Sequence, residues 1–516
     1  MKPDYDIIIL GGGSAGIVSG VMAGALGMRV LLIERGRMGG ECLNTGCVPS
    51  KALLHAAKVA QTIRTAQQVG LMPRAVSRED AAGVMRHVRE TITAVRQADA
   101  TEQLLRDNGV AIRHGNARFA DPHTVQIDGQ RVTAAYFILA TGSSPVAPEI
   151  SGLAAGAYRT NQTIFDLDEL PERLLIIGGG PIGVEMAQAF AWLGSHVTLV
   201  QQGERLLPHD DAEMARALTD YLREDGIDVR LNTTVAEVKT DLSTENKTRT
   251  ATLQQGDQRS EVTFDEVLAG MGRRTNTDGL RLEAAGIVFD SHAVQVDSSL
   301  RTTARNIFAC GDLLGHDQFS HLAEYEAKTV VRNIVFPGQA RAAFRLRPWT
   351  TFTDPELTHI GLTEEELQAR NITYEVFRQP FAQNDRAITD NATRGFIKVL
   401  TQGLTGKILG VHILGSRSGE LAQEWILAME HGHSIRAVAN MIHIYPTLSL
   451  ACQHAAQRWY ERQSQRPIIA KTLRAYVQGM RPREEALEMG MLGLVALGIG
   501  IGMLRRTAKF GDRKQE

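Results

Sequence analysis

The sequence predicts an α/β fold in which two strand–glycine turn–helix–strand units precede a C-terminal domain of mixed sheet and helix. Three observations carry this. An apolar strand at residues 6–10 runs into a glycine-rich turn, and the same pattern returns at residues 174–183. From Trp349 onward the composition changes to short strands alternating with helical stretches. With 516 residues, 43% of them hydrophobic, the chain accommodates about three domains.

The first unit begins with Asp6-Ile7-Ile8-Ile9-Leu10, a short buried-type strand. Gly11-Gly12-Gly13-Ser14-Ala15-Gly16 follows, then an Ala/Gly/Val-rich helical segment and a second strand, Arg29 to Ile33, ending at Glu34. This arrangement binds an ADP moiety: the glycines let backbone N–H groups approach a pyrophosphate at a helix N-terminus. Glu34 stands where an acid accepts hydrogen bonds from ribose hydroxyls.

Gly39-Gly40-Glu41-Cys42-Leu43-Asn44-Thr45-Gly46-Cys47-Val48-Pro49-Ser50-Lys51 comes next and holds two of the 4 cysteines. Four residues separate the two, a spacing that permits a local disulfide. Two buried, inert thiols are the alternative. Pro49 suits a first helical turn, and a helix N-terminus beside Lys51 favours a thiolate.

This stretch resembles the redox-active disulfide of the flavin-dependent pyridine nucleotide-disulfide oxidoreductases, a family that includes lipoamide dehydrogenase, glutathione reductase and mercuric reductase. The resemblance runs in matching order over residues 4–460. It implies two Rossmann-like dinucleotide-binding domains, for FAD and for NADH or NADPH, and a C-terminal α+β dimerisation domain. The implied boundaries are 1–150 and 271–345 for FAD, 151–270 for the nicotinamide, 346–465 for dimerisation and 466–516 for an extension. It also implies a redox pair, Cys42 and Cys47, with Cys47 nearer the flavin and Cys42 facing the acceptor.

Residues 52–107 read as two packing helices. Near the strand at residues 110–113, Ala117 matches an adenine-side contact in the family. Thr141 and Gly142 lie in a small-residue turn that closes over FAD in relatives. With Gly11, Gly13, Ser14, Gly16, Glu34, Gly40 and Lys51 these form the expected FAD set. It is completed by Asp312, in a second fingerprint Ala309-Cys310-Gly311-Asp312, and by Ser320, where a helix under the flavin begins. Cys310 itself reads as a small buried residue.

The second unit repeats the pattern with Leu174-Leu175-Ile176-Ile177, Gly178-Gly179-Gly180-Pro181-Ile182-Gly183 and a strand His196 to Val200. Two such units imply two nucleotides. The resemblance places nicotinamide contacts at Gly178, Gly180, Ile182, Gly183, Gln201, Val235 and Gly272. It pairs Glu185 with Lys51 beside the flavin; an exposed helix carboxylate is the alternative for Glu185. Relatives specific for NAD carry an acid at the Gln201 position, and those specific for NADP carry arginine at or beside it. Here glutamines stand at 201 and 202, with Arg205 as a possible phosphate partner, so the sequence leaves the choice open, with Gly183 tilting it slightly toward NADH.

The C-terminal domain carries one departure from the family. Disulfide-reducing relatives have histidine at the Tyr445 position and glutamate at the Leu450 position, a pair that shuttles protons for a dithiol substrate. Tyrosine, with an ordinary pKa of about 10, is a poor general base at neutral pH. Mercuric reductase also carries tyrosine there, although its paired C-terminal cysteines are missing from this chain. His443 is a fallback base, or a structural histidine. The expected catalytic set is Cys42, Cys47, Lys51, Glu185 and Tyr445, with no resident metal. The resemblance implies a homodimer and an enzyme that passes electrons from NAD(P)H through FAD to a disulfide, a metal ion or another small acceptor. A quinone-reducing diaphorase that bypasses the disulfide and a redox-sensing flavoprotein with little turnover are the alternatives.

The net charge of −2 argues against a nucleic-acid partner. Few cysteines and no apolar leader at the N-terminus point to a reducing, cytoplasmic setting. Residues 489–504 are uncharged and contain five glycines. As a helix they would reach about 24 Å, short of a hydrocarbon core of about 30 Å. The expectation is a membrane-contacting tail, peripheral or anchored, with a buried tail as the alternative.

Overall fold

The first apolar run forms a central strand, β1 (Tyr5–Leu10), whose Ile7, Ile8 and Ile9 are fully buried. Consecutive buried residues point to opposite faces, so both faces of this strand are covered, as in a parallel sheet packed between layers. The computed structural model describes residues 2–75, 77–154, 156–240, 249–316, 318–336, 340–342 and 346–477. The apolar run 489–504 lies outside them. Among the described residues no helix is long and apolar enough to cross a membrane.

The described residues divide into two compact units, one within 1–208 and 219–344 and the other within 209–218 and 345–477. In the first, β1 pairs in parallel with β2 (Val30–Glu34) on one side and with Gln130–Leu139 on the other. β2 continues in parallel to Val110–His114, and Ile307–Ala309 joins the far side of Gln130–Leu139. Helix α1 (Ser14–Ala25) crosses from β1 to β2. The second glycine unit builds a separate four-stranded parallel sheet in the order Asp228–Arg230, His196–Val200, Arg173–Ile177, Glu266–Ala269. An antiparallel three-stranded sheet accompanies it.

Residues 52–107 depart from two helices. Helix α3 (Cys47–Arg64), preceded by the short α2 (Gly40–Asn44), ends before a 3-10 turn that Gly70 closes at φ +80°. A new helix, Arg78–Asp99, starts at a capping box between Ser77 and Asp80, and Ala100 at φ 39° separates it from Thr101–Asp107. A left-handed alanine amid helix-favouring residues leaves little trace in apolar periodicity.

The other unit holds a five-stranded antiparallel sheet in the order Trp349–Thr351, Glu356–Gly361, Lys407–Gly415, Phe396–Gln402, Glu375–Pro380. Helices Ser418–Glu430 and Leu450–Ser464 pack on it around buried Trp425 and Trp459. Lys398 is buried there with its ammonium 2.9 Å from both oxygens of Asp211 and 2.9 Å from Glu213, and it also pairs with Glu364. A buried cation is tolerated because several carboxylates replace its water.

Candidate active site

The two glycine turns are built alike. Gly11 sits at φ +108° and Gly178 at φ +112°; an added Cβ would lie 2.3 Å from the Ala140 carbonyl in one and 2.2 Å from the Gly270 carbonyl in the other. A Cβ on Gly16 would lie 1.8 Å from the Gly11 oxygen, and one on Gly183 1.9 Å from the Gly178 oxygen. Only glycine permits this closeness of helix to turn. The middle glycines differ. A Cβ on Gly13 would meet nothing nearer than the Gly40 Cα at 3.9 Å, and one on Gly180 would meet nothing within 4 Å. These positions face open space at the N-termini of α1 and of helix Pro181–Leu193, where unpaired N–H groups attract an anion. Ser14 and Ile182 lie in the first turns of those helices.

The residue after each second strand grips its turn. The Gly12 N–H donates to Glu34 Oε2 at 2.6 Å, and the Gly179 N–H donates to Gln201 Oε1 at 2.9 Å. Glu34 also accepts from the Gly36 N–H at 2.6 Å. Arg205 donates to the Pro208 carbonyl at 2.9 Å. Val235 is buried in strand Thr234–Thr240, and Gly272 is exposed at φ +126°.

The cysteine segment passes directly against the first turn. Gly39 N–H donates to the Gly12 carbonyl at 2.9 Å, and Gly40, at φ +60°, has no room for a Cβ beside the Gly13 Cα. Cys42 lies on α2 and Cys47 is the first residue of α3, so Cys47 sits at a helix N-terminus. Both are free thiols. The Cys42 thiol donates to the Cys47 sulfur; that bond, the Lys51 ammonium and the Ser320 hydroxyl together lower Cys47 to about 6, against partial burial and Glu185. The same bond, with burial, pushes Cys42 up. Ser320 Oγ lies 3.9 Å from Cys47 Sγ, so this expected flavin contact also reaches the sulfur. Buried Cys310 has its thiol pushed up by burial, which leaves it inert.

Lys51 Nζ lies 2.8 and 3.1 Å from the two oxygens of Glu185, and the Glu185 side chain is only 7% exposed. The exposed-carboxylate alternative for Glu185 is thereby excluded. Arg273 donates to Ser143 Oγ at 2.8 Å, lies 3.6 Å from Asp312 Oδ2 and ion-pairs with Glu41. Ser143 donates onward to Asp312 at 2.6 Å. Thr141 Oγ1 donates to the Asn276 carbonyl at 2.8 Å, and Asn276 N–H donates to the Gly142 carbonyl at 2.9 Å. Ala117 starts the strand Ala117–Asp121. Sequence reasoning missed Glu41, Ser143 and Arg273; the signal available was a pair of opposite charges, at 41 and 273, each inside a family-like segment.

In the other unit Tyr445 is 69% exposed, and its hydroxyl donates to Asp385 at 3.0 Å. That carboxylate raises the Tyr445 pKa. His443 is enclosed, with Nδ1 3.2 Å from the Met441 carbonyl and Nε2 3.0 Å from Glu424. Both ring nitrogens are engaged inside their own domain, which fits the structural reading of this histidine. Leu450 begins helix Leu450–Ser464.

The model of one family, described as pyridine nucleotide-disulphide oxidoreductase, matches residues 5–332, and that of its dimerisation domain matches residues 347–456. A mercuric reductase from Streptomyces lividans is 34% identical over 88% of this chain and 96% of its own. A dihydrolipoyl dehydrogenase from Thermus scotoductus is 32% identical over 89% of this chain and 98% of its own. The solved HOCl-induced flavoprotein disulfide reductase RclA from Escherichia coli is 28% identical, with a TM-score of 0.78 over 88% of this chain and 99% of its own. The chain belongs to the pyridine nucleotide-disulphide oxidoreductase family and is an FAD-dependent oxidoreductase that uses NAD(P)H. The open positions at Gly13 and Gly180 are the cradles that two dinucleotide pyrophosphates require, so the residues present fit both cofactors.

Proposed function

We propose that this enzyme delivers electrons from NAD(P)H to a soft metal ion, mercuric or cupric, through the Cys42–Cys47 pair. The observation that carries the choice of acceptor is the engagement of Tyr445 and His443. The Tyr445 hydroxyl donates a hydrogen bond to Asp385, which holds its proton in place, and His443 lies between the Met441 carbonyl and Glu424. A dithiol–disulfide substrate needs a base that holds and returns a proton. A thiophilic cation displaces the thiol proton to solvent as it binds, so no base has to hold and return it. Relatives named mercuric reductase, and a Cu(II) complex of the E. coli RclA protein among the similar solved structures, support the same class.

Roles follow residue by residue. Gly13 and Ser14 present N–H groups to the FAD pyrophosphate, and Glu34 accepts from its ribose. Gly180 and Ile182 do the same for the nicotinamide cofactor, with Gln201 at its ribose. Bound FAD supplies a two-electron carrier between hydride donor and disulfide. The Cys42 hydrogen bond first, and then the positive charge of Lys51, fixed by Glu185, favour the ionised form of Cys47 at neutral pH. Cys42, the more basic sulfur, holds the proton and faces the acceptor. With mercuric ion the balance is NAD(P)H plus Hg(II) giving NAD(P)+, Hg(0) and H+: two electrons move and one proton is released. A two-fold homodimer brings the loop bearing Tyr445 to the thiol pair of a second copy.

The test is an acceptor panel, run with wild type and Cys42→Ser and with each nicotinamide: mercuric and cupric ions, oxidised lipoamide, glutathione disulfide and a quinone. The expected result is metal-ion turnover that falls at least about 100-fold in Cys42→Ser. Faster turnover with oxidised lipoamide than with either ion overturns the metal reading. A quinone rate that Cys42→Ser leaves intact, with no metal turnover, makes the protein a diaphorase.

A further inference from the structure

The residue preceding Cys42 is a carboxylate with two partners from distant parts of the chain. Glu41 Oε1 accepts from Gln162 Nε2 at 2.7 Å, and Oε2 pairs with the Arg273 guanidinium. Arg273 is only 17% exposed and is itself held by Ser143, whose side-chain oxygen accepts from Nε at 2.8 Å and whose carbonyl accepts from Nη2 at 3.2 Å. Ser143 passes the connection to Asp312 at 2.6 Å. Glu41 and Arg273 together therefore link four segments: the five-residue helix that carries Cys42, the loop at Gln162, the strand Ser143–Pro145 and the strand Arg273–Thr275. The two strands pair in register, with Arg273 opposite Pro145 and Thr275 opposite Ser143. The floor is thus a paired two-stranded ribbon, and Glu41 ties the turn bearing Cys42 to it.

A helix of five residues has little stability of its own. Its N-cap, Gly39, supplies no side-chain cap. When no sulfur–sulfur bond holds this turn, Glu41 ties it to the ribbon, alongside the Gly39 N–H bond to the Gly12 carbonyl at one end and the Arg96 bond to Asn44 at 2.7 Å at the other. A charge-assisted bond from a partly buried guanidinium is strong enough for that task.

We infer that Glu41 is a positioning residue for the redox pair: it clamps the Cys42 turn to Arg273 and, through Ser143, to Asp312, so that the two sulfurs stay together after reduction. The inference rests on Cys42 and Cys47 being the working pair. Holding the reduced thiols close favours re-forming the disulfide, because the reduced loop gains less freedom. Releasing the clamp shifts the equilibrium toward the dithiol.

The experiment equilibrates the full-length holoenzyme with oxidised and reduced dithiothreitol mixtures, traps thiols by alkylation, and counts modified Cys42 and Cys47 by peptide mass spectrometry. Wild type, Glu41→Gln and Gln162→Leu are compared, with FAD content measured in each. Glu41→Gln is expected to favour the dithiol about tenfold, about 30 mV for a two-electron couple. Gln162→Leu is expected to shift the same way by about threefold, because it removes the lesser brace. Equilibria within twofold of wild type in both variants overturn the clamp. If Glu41→Gln loses FAD, Gln162→Leu decides alone: a shift toward dithiol supports the clamp and no shift overturns it. If wild type itself shows no dithiothreitol-dependent pair at Cys42 and Cys47, the relay reading fails.

Discussion

The two nucleotide turns share a backbone and differ in one functional group. Gly11 and Gly178 have φ within a few degrees of each other, and Gly16 and Gly183 leave the same missing space. The residue closing each turn makes the same bond to the second glycine, from a carboxylate at Glu34 and from an amide at Gln201. A carboxylate accepts ribose hydroxyls and repels a phosphate, whereas an amide offers a donor as well and repels neither. On the proposed assignment, the shared backbone gives both turns room for a pyrophosphate. The same assignment has the single side chain set how strictly each reads the sugar beside it.

Breaking the shared backbone is expected to have the largest effect. Gly16→Ala and Gly183→Ala each force a Cβ into a carbonyl oxygen, at 1.8 and 1.9 Å. Gly16→Ala is expected to purify without flavin, read as lost absorbance near the flavin band. Gly183→Ala is expected to keep its flavin and slow its reduction by NAD(P)H at least about 100-fold in stopped-flow. Flavin loss from both, or from neither, breaks the assignment of the two turns to two cofactors.

Exchanging the closing residues sharpens the comparison with a smaller effect. Gln201→Glu is expected to raise the KM for NADPH about tenfold and to move that for NADH by less than about threefold, a cost set by one charge contact. Glu34→Gln is expected to weaken FAD about tenfold, the worth of one charge-assisted bond, as read by equilibrium dialysis. Equal changes for NADH and NADPH in Gln201→Glu contradict a role at the ribose.

This contrast also explains what the sequence disclosed. Gly11, Gly16 and Gly178 announce themselves because backbone strain and close approach admit one residue type, and an apolar strand on either side frames them. The cysteine stretch is equally plain, since its chemistry is packed into thirteen consecutive residues. Lys51 and Glu185, 134 positions apart, came from resemblance, and their 2.8 Å contact is a property of the fold. Glu41 and Arg273 lie 232 positions apart, and Lys398 meets Asp211 across 187. Charged residues at such separations look like solvated surface in a sequence, because nothing local records that they are paired. Ala100 hid a helix break for a related reason: its residue type favours the helix that its φ of 39° ends.

The smallest expected effects are shifts in the titration of one sulfur. Cys47 is lowered from an ordinary 9.0 to about 6, first by the Cys42 hydrogen bond and then, among lowering influences, by Lys51. The ionised form therefore stabilises the folded, reduced protein above about pH 9, and that contribution is lost as pH falls through about 6. In reduced protein labelled at cysteine Cβ, the Cys47 carbon resonance is expected to titrate with a midpoint near pH 6. Lys51→Met should move that midpoint up by roughly one unit, and Glu185→Gln should move it down, since Glu185 opposes the thiolate. Opposite signs contradict the charge pattern at the junction of the two nucleotide units.

The relay is tested most directly by counting thiols after the cofactor has been reduced. Under argon, two equivalents of NADH or NADPH are added to oxidised holoenzyme, the reaction is quenched with an alkylating agent, and Cys42 and Cys47 are quantified by mass spectrometry. The account predicts two newly alkylated cysteines per chain, at 42 and 47, with Cys310 and Cys452 unchanged. Bleaching of the flavin with no new thiol at either position would contradict it.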